Sequence, residues 1–237
     1  MQGRSVFGGL QAAFALRAMR ELVPGVPLRT LQTTFIAPVA GEMKARARLL
    51  RQGKNAAHVE VRLGHDDETQ AVMIGVFGSA RSSIVARTVV QPPLTVDPSQ
   101  VFEKPFGAPS LGPMFTLHFG VRWLRGKPVF TSDRGFHHVL EIALDDDVPA
   151  TEAHLLAIAD FIPPIGLSHM SSPTPGSTLT WMLELLVDRI PAVPLRGFRV
   201  DAELIAARDG YTDQSVIIYA PDGTALALSH QSMLVFG

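Results

Sequence analysis

The segment Ser5-Val-Phe-Gly-Gly-Leu-Gln-Ala-Ala-Phe-Ala-Leu-Arg-Ala-Met19 decides the fold. A helix starts here at Ser5 or at the Gly8-Gly9 pair, and Pro24-Gly25 ends it. Only Gln11 and Arg17 interrupt its apolar run. Because a helix with so little polar surface is usually surrounded by other structure, the segment predicts a buried core helix.

Stretches typical of β-strands follow this helix. They are rich in β-forming residues or alternate between charged and apolar positions, a pattern that favours a sheet with one face in water. The turn signals Gly53-Lys-Asn and Asp66-Asp-Glu separate some of them. The predicted strands of this first half are residues 28–36, 44–51, 58–63 and 70–77.

The second half of the chain repeats this combination of one helix and several strands. A helix is predicted over residues 151–162, with Thr151 or an aspartate of Asp145-Asp-Asp as its cap and Pro163-Pro164 as its stop. The strands predicted around it are residues 115–119, 134–144, 177–186, 198–207, 215–219 and 225–236.

The two halves can be aligned on each other. Thr30-Leu-Gln-Thr-Thr-Phe matches Ser177-Thr-Leu-Thr-Trp-Met, and Gln70-Ala-Val-Met-Ile-Gly-Val-Phe matches Ser229-His-Gln-Ser-Met-Leu-Val-Phe. An antiparallel sheet curled around one buried helix satisfies both kinds of element. The sequence therefore predicts an α+β protein with two such halves in tandem. We expect the halves at residues 1–88 and 114–237, joined by a linker rich in Pro, Ser and Gly over residues 89–113.

Composition excludes several classes of function. The 237 residues include 21 basic and 22 acidic side chains, so no long-range field attracts nucleic acid or an anionic membrane. The absence of cysteine excludes disulfides, thiolate metal sites and a cysteine nucleophile. No apolar run reaches the roughly 18 residues of a membrane span, and the start lacks a signal-peptide pattern. We expect a cytoplasmic protein.

Asp160 is unusual because its neighbours in the second predicted helix are apolar. An ionised carboxylate there is costly if it stays dry and unpaired. Asp160 also lies in the last turn before Pro163, where the helix dipole disfavours negative charge. Both effects raise its pKa, which suits a general base near neutral pH. The alternative is a frayed helix end with Asp160 facing water.

Two polar residues elsewhere in the second half are weaker candidates. Gln231 lies inside an apolar strand, where an amide can position a water or donate to a carbonyl, although the pattern alone favours a solvent-facing residue on an edge strand. Thr178 follows the helix on a strand, where threonine is common. The matching helix of the first half contains no acid, so any such centre is expected in the second half only.

Five segments, in this order, resemble the double hotdog acyl-CoA thioesterases, the bacterial type II and peroxisomal group. These segments are Ser5-Val-Phe-Gly-Gly-Leu-Gln, Arg51-Gln-Gly-Lys-Asn-Ala, Ala159-Asp-Phe-Ile-Pro-Pro, Ser177-Thr-Leu, and the hairpin from Tyr219 to Gln231.

The resemblance implies that Asp160, Thr178 and Gln231 jointly activate a water that attacks the thioester of an acyl-CoA, with coenzyme A as the leaving group. It implies no metal, no cofactor and no covalent enzyme intermediate. Gly8 and Gly9 are expected at the substrate site, where they let a strand or ligand approach the helix start. Because relatives form dimers or tetramers, the resemblance also implies a homo-oligomer.

This sequence departs from the family pattern at several positions. Thr180 stands where many relatives carry Asp, and Met182 and Glu184 stand where relatives often have His or an aromatic residue. These differences bear on rate and substrate range more than on fold. Relatives also carry a further strand or two ahead of Gly3, so the first strand is expected to be truncated: either the start was assigned late or this subfamily has lost that part. A missing edge strand would leave unpaired backbone groups for a partner subunit to cover.

Two other functions compete with the hydrolase. A non-catalytic acyl-CoA or fatty-acyl binding protein of the same fold predicts that Asp160 is solvated or paired with a cation, with Gln231 turned away. Asp133 and His138 have the spacing of hotdog enoyl-CoA hydratases but lack the Asn-Pro inside that motif. The other histidines lack ligand spacing for zinc, and the sequence has no Gly-x-Ser-x-Gly elbow.

Overall fold

The computed structural model describes residues 5–65, 67–105 and 112–236. Its first half begins with the helix α1, which precedes four strands. Their bounds are α1 Gly8–Leu22, β1 Leu28–Phe35, β2 Lys44–Gln52, β3 Ala56–Gly64 and β4 Ala71–Gly78.

The second half contains a shorter helix and seven strands. The bounds are β5 Phe102–Glu103, β6 Phe119–Arg125, β7 His137–Leu144, α2 Glu152–Ala159, β8 Gly176–Leu185, β9 Phe198–Arg208, β10 Tyr211–Tyr219 and β11 Ala225–Val235. Short 3-10 helices lie at Pro98–Gln100, Met114–His118 and Ile165–His169.

All strands join one antiparallel sheet in the order β2-β3-β4-β1-β8-β11-β10-β9-β7-β6-β5. The pair β1–β8 joins the halves, with Leu31 opposite Leu183. On either side of this pair the order is mirrored, so β1 to β4 correspond to β8 to β11. This arrangement confirms the predicted α+β class, in which two similar antiparallel halves each follow a helix.

The helices α1 and α2 lie side by side and antiparallel in the core. Gly9 at the start of α1 contacts Asp160 at the end of α2, while Arg20 near the end of α1 pairs with Glu152 at the start of α2. A Cβ on Gly9 would lie 2.9 Å from the Ala157 Cα, so only glycine permits this approach. The two helices thereby connect the halves directly. Neither helix in the described ranges has the length and apolar character needed to cross a bilayer.

The prediction that α1 is buried on all sides is wrong. Leu10, Phe14 and Leu22 are exposed on one face, while Ala12, Ala15, Leu16 and Met19 are buried. In the second half, the strands β7 and β6 continue the sheet beyond β9. In the first half, β2 corresponds to β9, and no described strand continues the sheet beyond it.

Two predicted elements differ from the structure. Residues 115–119 were predicted as a strand, but Met114–His118 is a 3-10 helix that follows Pro113, and the strand β6 begins only at Phe119. The helix predicted over residues 151–162 ends at Ala159. Pro163 disfavours helical conformation at Ile162, and within a continued helix its ring would clash with the Ala159 carbonyl. The predicted N-cap of this helix is confirmed, since the Thr151 side chain accepts a hydrogen bond from the His154 N–H.

The linker predicted over residues 89–113 contributes to the same sheet. β5 pairs with β6 at the sheet edge, and the Pro92 carbonyl accepts a hydrogen bond from Arg199 at 2.8 Å. The boundaries at residues 88 and 113 stay predictions, since the sheet continues across both halves.

Candidate active site

Asp160 lies directly after the last residue of α2, as the C-cap of that helix. Its Oδ2 accepts a hydrogen bond from the Gly9 N–H at 2.6 Å, and its Oδ1 accepts one from Gln231 Nε2 at 2.9 Å. One donor belongs to the first half and the other to the second. The alternative of a frayed helix end with Asp160 facing bulk water is therefore not what the chain adopts.

The environment of Asp160 raises its proton affinity. Burial raises the pKa of the Asp160 carboxyl to about 7, while the hydrogen bonds from Gly9 and Gln231 act in the opposite direction. From the sequence, part of the rise in the Asp160 pKa is expected from the C-terminal end of α2. The positive N-terminal end of α1 faces the carboxylate as well, so desolvation is the dominant cause.

The carboxylate of Asp160 also completes the start of α1. The N-cap residue of this helix is Phe7, which offers no side-chain acceptor, and Gly9 carries one of the N–H groups that lack an intrahelical partner. Asp160 accepts this N–H as an N-cap side chain would. The start of one helix and the end of the other are thus stabilised by the same contact.

Glycine is required beside this carboxylate. A Cβ on Gly8 would lie 2.6 Å from Asp160 Oδ2 and 3.0 Å from the Phe35 ring. Gly8 lines the cavity next to Asp160, whereas Gly9 supplies the N–H and the close helix contact. The assignment of both glycines to substrate binding stays a prediction.

Gln231 is held in one orientation by a relay of amides. It is fully buried on β11, which lies between β8 and β10, so the expectation of a solvent-facing edge position is wrong. Its Oε1 accepts a hydrogen bond from Gln214 Nε2 at 3.1 Å, and Gln214 Oε1 accepts one from the Ile165 N–H at 3.0 Å. The main-chain donor fixes Gln214, which in turn directs the Gln231 amide nitrogen at Asp160.

A β-bulge directs Thr178 into the interior. Along the β8–β11 ladder Trp181 pairs with Gln231, but Thr178 pairs with Met233, so Leu179 is the extra residue. Regular alternation from the buried Trp181 would turn Thr178 to the outer face, and the bulge returns it to the inner one. Thr178 accordingly lines the same cavity as Asp160. Within the described residues, no hydrogen bond joins its hydroxyl to Asp160.

The cavity beside Asp160 has a volume of about 530 Å³. Among the described residues of its wall, Asp160 is the only ionisable one. Much of the wall is apolar, and Phe115 and Phe161 belong to an aromatic cluster with ring centroids 6.0 Å apart. Such a cavity can accept an uncharged, apolar group next to the partly buried carboxyl of Asp160.

The corresponding end of the first helix carries no acid. The C-cap of α1 is the buried Val23, in the position that Asp160 occupies on α2. Nearby, Arg20 and Glu152 form an ion pair between the helices. The asymmetry expected from the sequence is therefore present in the structure, since Asp160 is a partly buried carboxyl at the end of α2 and the end of α1 carries Val23 instead.

The secondary candidate, Asp133 with His138, lies outside this cavity. The two side chains approach to 3.8 Å, and burial lowers the pKa of His138 to about 4, which keeps its ring neutral. Over the described ranges, no group of three or more histidine or acidic side chains is arranged to hold a metal.

Sequence reasoning missed two residues of the site. Gln214 was left outside a strand predicted to begin at residue 215, whereas β10 begins at Tyr211. Alternation with the buried Val216 and Ile218 was the signal that places Gln214 on the inner face. Gln11 was noted only as an interruption of the apolar helix, but it lines the cavity.

Two family models cover almost the whole chain. The model described as acyl-CoA thioesterase N-terminal domain matches residues 1–92, and the one described as acyl-CoA thioesterase C-terminal domain matches residues 92–235. None of the curated proteins compared with the chain matches it significantly.

Solved structures show the same fold at low sequence identity. A protein of unknown function with a hot dog fold from Alicyclobacillus acidocaldarius is 24% identical, with a TM-score of 0.86 over 100% of this chain and 89% of its own. The acyl-CoA thioesterase II TesB2 from Mycobacterium marinum is 15% identical, with a TM-score of 0.76 over 100% and 91%. The dehydratase domain of RzxB from Pseudomonas fluorescens is 12% identical, with a TM-score of 0.61 over 95% and 84%. Since the fold also occurs in a dehydratase, the reaction has to be argued from the site.

Proposed function

Since the chain belongs to the acyl-CoA thioesterase family, we propose that it hydrolyses the thioester of a fatty or other acyl-CoA to the free acid and coenzyme A. The observation that carries this proposal is the partly buried Asp160, held by Gly9 and Gln231 on the wall of an apolar cavity. Its pKa of about 7 suits a general base at neutral pH.

In the proposed reaction Asp160 takes a proton from a water in the cavity. The water oxygen attacks the thioester carbonyl carbon, and the thiolate of coenzyme A leaves as the carbonyl re-forms. Gln231, fixed by Gln214, keeps the carboxylate in place, and Thr178, which lines the same cavity, binds the water through its hydroxyl. Each oxygen of Asp160 already accepts one hydrogen bond and keeps a lone pair for the water.

The developing oxyanion needs a donor close to the water. The Gly8 N–H is among the first N–H groups of α1, which have no acceptor within the helix, and Gly8 lines the cavity next to Asp160. We assign it this role, because a fixed backbone donor stabilises charge that develops in the transition state.

The competing function, a non-catalytic acyl-CoA or fatty-acyl binding protein, predicts a solvated or cation-paired Asp160. Neither hydrogen-bond donor to Asp160 is a cation, and Gln231 faces the carboxylate instead of turning away. These contacts favour hydrolysis.

The test is thiol release from a panel of acyl-CoAs by the wild type, Asp160→Ala and Asp160→Asn. We expect both variants to lose about 10²- to 10⁴-fold in kcat, the range of general-base catalysis. Asp209→Asn is the matched control, since Asp209 is exposed, does not line the cavity, and has a positive φ that asparagine tolerates. Equal rates for the wild type and the Asp160 variants would reject the proposal.

The homo-oligomer implied by the family resemblance also remains a proposal. Light scattering on the purified chain measures it directly, and a monomeric mass at micromolar concentration would contradict it.

A further inference from the structure

Ser168 belongs to a series of hydrogen bonds that ends at Asp160. It lies on the 3-10 helix that follows α2 and is only 1% exposed. Its hydroxyl donates to the Ile165 carbonyl at 2.8 Å, and its own carbonyl accepts the Asp133 N–H at 2.8 Å. The Ile165 N–H donates in turn to Gln214 Oε1 at 3.0 Å. The amide relay at the candidate active site therefore continues into this 3-10 helix.

All five hydrogen bonds of the series point toward the carboxylate. Their donor–acceptor distances lie between 2.8 and 3.1 Å. Because main-chain carbonyls only accept and main-chain N–H groups only donate, they fix the direction of the hydroxyl and of both amides. From the first donor to the last acceptor, the series joins Asp133, Ser168, Ile165, Gln214, Gln231 and Asp160.

The series returns to the segment of main chain that carries Asp160. Only four residues separate Asp160 from Ile165, and two of them are Pro163 and Pro164, whose rings fix φ. This short segment and the side chains of the two glutamines therefore form a closed ring. A shift of Ile165 changes the start of the amide relay and so the place where its last amide meets the carboxylate. The Ser168 hydroxyl, which holds the Ile165 carbonyl, opposes such a shift.

The loop between β6 and β7, residues 126–136, anchors the 3-10 helix from its other side. The N–H groups of Phe130 and Ser132 donate to the carbonyls of Leu167 and Met170 at 2.8 and 3.0 Å. Phe130 and Ser132 have φ values of 64° and 58°, which are uncommon for residues other than glycine. Residues persist in such conformations where the surrounding contacts determine them, and they cluster at functional sites. The 3-10 helix is thus held firmly enough to act as a fixed support.

We propose that Ser168 is a positioning residue for Asp160, an inference that rests on the function proposed above. Ser168 does not line the cavity, so it acts on the carboxylate through Ile165, Gln214 and Gln231. With its hydroxyl in place, the Gln231 amide is held against the carboxylate and favours the ionised form. Without the hydroxyl, Ile165 loses one of its two fixed contacts, and the amide contact at the far end of the series loosens.

The experiment compares Ser168→Ala with the control Thr131→Val. Each change removes one hydroxyl that donates at 2.8 Å to the carbonyl three residues earlier, but Thr131 bonds Pro128, outside the series. The Asp160 pKa is measured by NMR titration of its side-chain carboxyl carbon, assigned by its absence in Asp160→Asn. We expect Ser168→Ala to raise this pKa by about 0.5 or more, and Thr131→Val to leave it unchanged. Urea unfolding of both variants is measured in parallel, because a merely structural hydroxyl would affect stability alone.

A double variant tests the route of the effect. If Ser168 acts through Gln214, then Ser168→Ala combined with Gln214→Leu has the same Asp160 pKa as Gln214→Leu alone, since the connection to Gln231 is already cut. The inference is overturned if Ser168→Ala leaves the Asp160 pKa at the wild-type value. It is also overturned if the two changes raise that pKa by the sum of their separate effects.

The titration separates this inference from the hydrolase proposal, because it needs no turnover. A wild type that hydrolyses no acyl-CoA, together with an Asp160 pKa that depends on Ser168, would reject hydrolysis but support the positioning of the carboxyl. Hydrolysis by a protein whose Asp160 pKa is indifferent to Ser168→Ala would do the reverse. If both proposals hold, the midpoint of the pH–rate profile moves with the pKa measured by NMR.

Discussion

Asp160 Oδ2 lies 2.6 Å from the Gly9 nitrogen, so a carboxylate at the end of one helix accepts a main-chain hydrogen bond from the start of another, 151 residues away. The candidate base is thus fixed by both halves of the molecule. Its environment combines desolvation, which favours the neutral acid, with two donors, which favour the carboxylate.

The pH dependence of hydrolysis is expected to follow Asp160. A base must be deprotonated to act, so kcat/KM should rise with pH, reach half its maximum near pH 7, and level off above. Because the Gln231 hydrogen bond lowers the Asp160 pKa, Gln231→Leu should move this midpoint to higher pH. Rate profiles of both enzymes from pH 5 to 9 measure it, and a wild-type midpoint near pH 4 would contradict the assignment.

Protein stability should also report the raised pKa. Asp160 has an ordinary pKa of 3.8 and a folded pKa of about 7, so between these values the folded state binds more protons than the unfolded state. The stabilisation linked to this group is present at low pH and is lost as pH rises through this window. Between pH 5 and pH 8 we expect the wild type to lose about 2 kcal/mol of unfolding free energy relative to Asp160→Asn. Urea unfolding at both pH values measures this difference, and parallel changes in the two proteins would contradict it.

Gly8→Ala should reduce activity more than stability. The new methyl would collide with Asp160 Oδ2 and Phe35, which displaces the carboxylate. Misplacement by about 1 Å costs about 10²-fold in rate, so we expect a kcat loss of that size. In the control Gly53→Ala, the added methyl meets only the Ala56 carbonyl at an ordinary 3.5 Å. The assignment fails if both variants keep wild-type kcat.

The bulge in β8 predicts opposite results for two threonines. Thr178→Val keeps the shape of the residue but removes its hydroxyl from the cavity wall, so kcat should fall at least about 10-fold. Thr180→Val makes the same change on the exposed face of the strand and should leave kcat unchanged. Thiol-release kinetics on both variants test the pair. If Thr180→Val loses more activity than Thr178→Val, the bulge does not direct the functional hydroxyl.

Gln214 is expected to act as a positioning residue. Gln214→Leu leaves Gln231 Oε1 and the Ile165 N–H without their partner, which should cost about 1–3 kcal/mol of stability. It should also move the midpoint of the pH–rate profile upward, as Gln231→Leu does, because the Gln231 amide is no longer held against Asp160. A purely structural role would lower stability and leave that midpoint where it is.

Most strands could be predicted from the sequence because one face of each is buried. Alternation locates β3, where Val59, Val61 and Leu63 are buried, and the observed strand extends the predicted one by two residues at its start and one at its end. β6 shows the same alternation, with Val121 and Trp123 buried. The strand was nevertheless predicted at residues 115–119, which begin with the apolar Phe115 and mostly form a 3-10 helix.

The site was predictable only where local chemistry is unusual. A carboxylate in an apolar helix marks Asp160 without any knowledge of the fold. The contact with Gly9 spans 151 residues, and the bulge at Leu179 changes the direction of Thr178 without leaving any mark in the strand pattern. Gln214 and Gln231 meet only because β10 and β11 pair in one particular register.

The contact between the helices couples the pKa of Asp160 to how closely the two halves pack against each other. Any motion that draws α1 away from α2 admits water to the carboxyl and moves its proton affinity back toward that of a free aspartate. By thermodynamic reciprocity, a proton on the carboxyl favours the closed arrangement of the helices, because desolvating the neutral acid costs less than desolvating the carboxylate. A substrate that excludes water from the cavity would then raise the pKa of Asp160, since a drier carboxyl holds its proton more strongly.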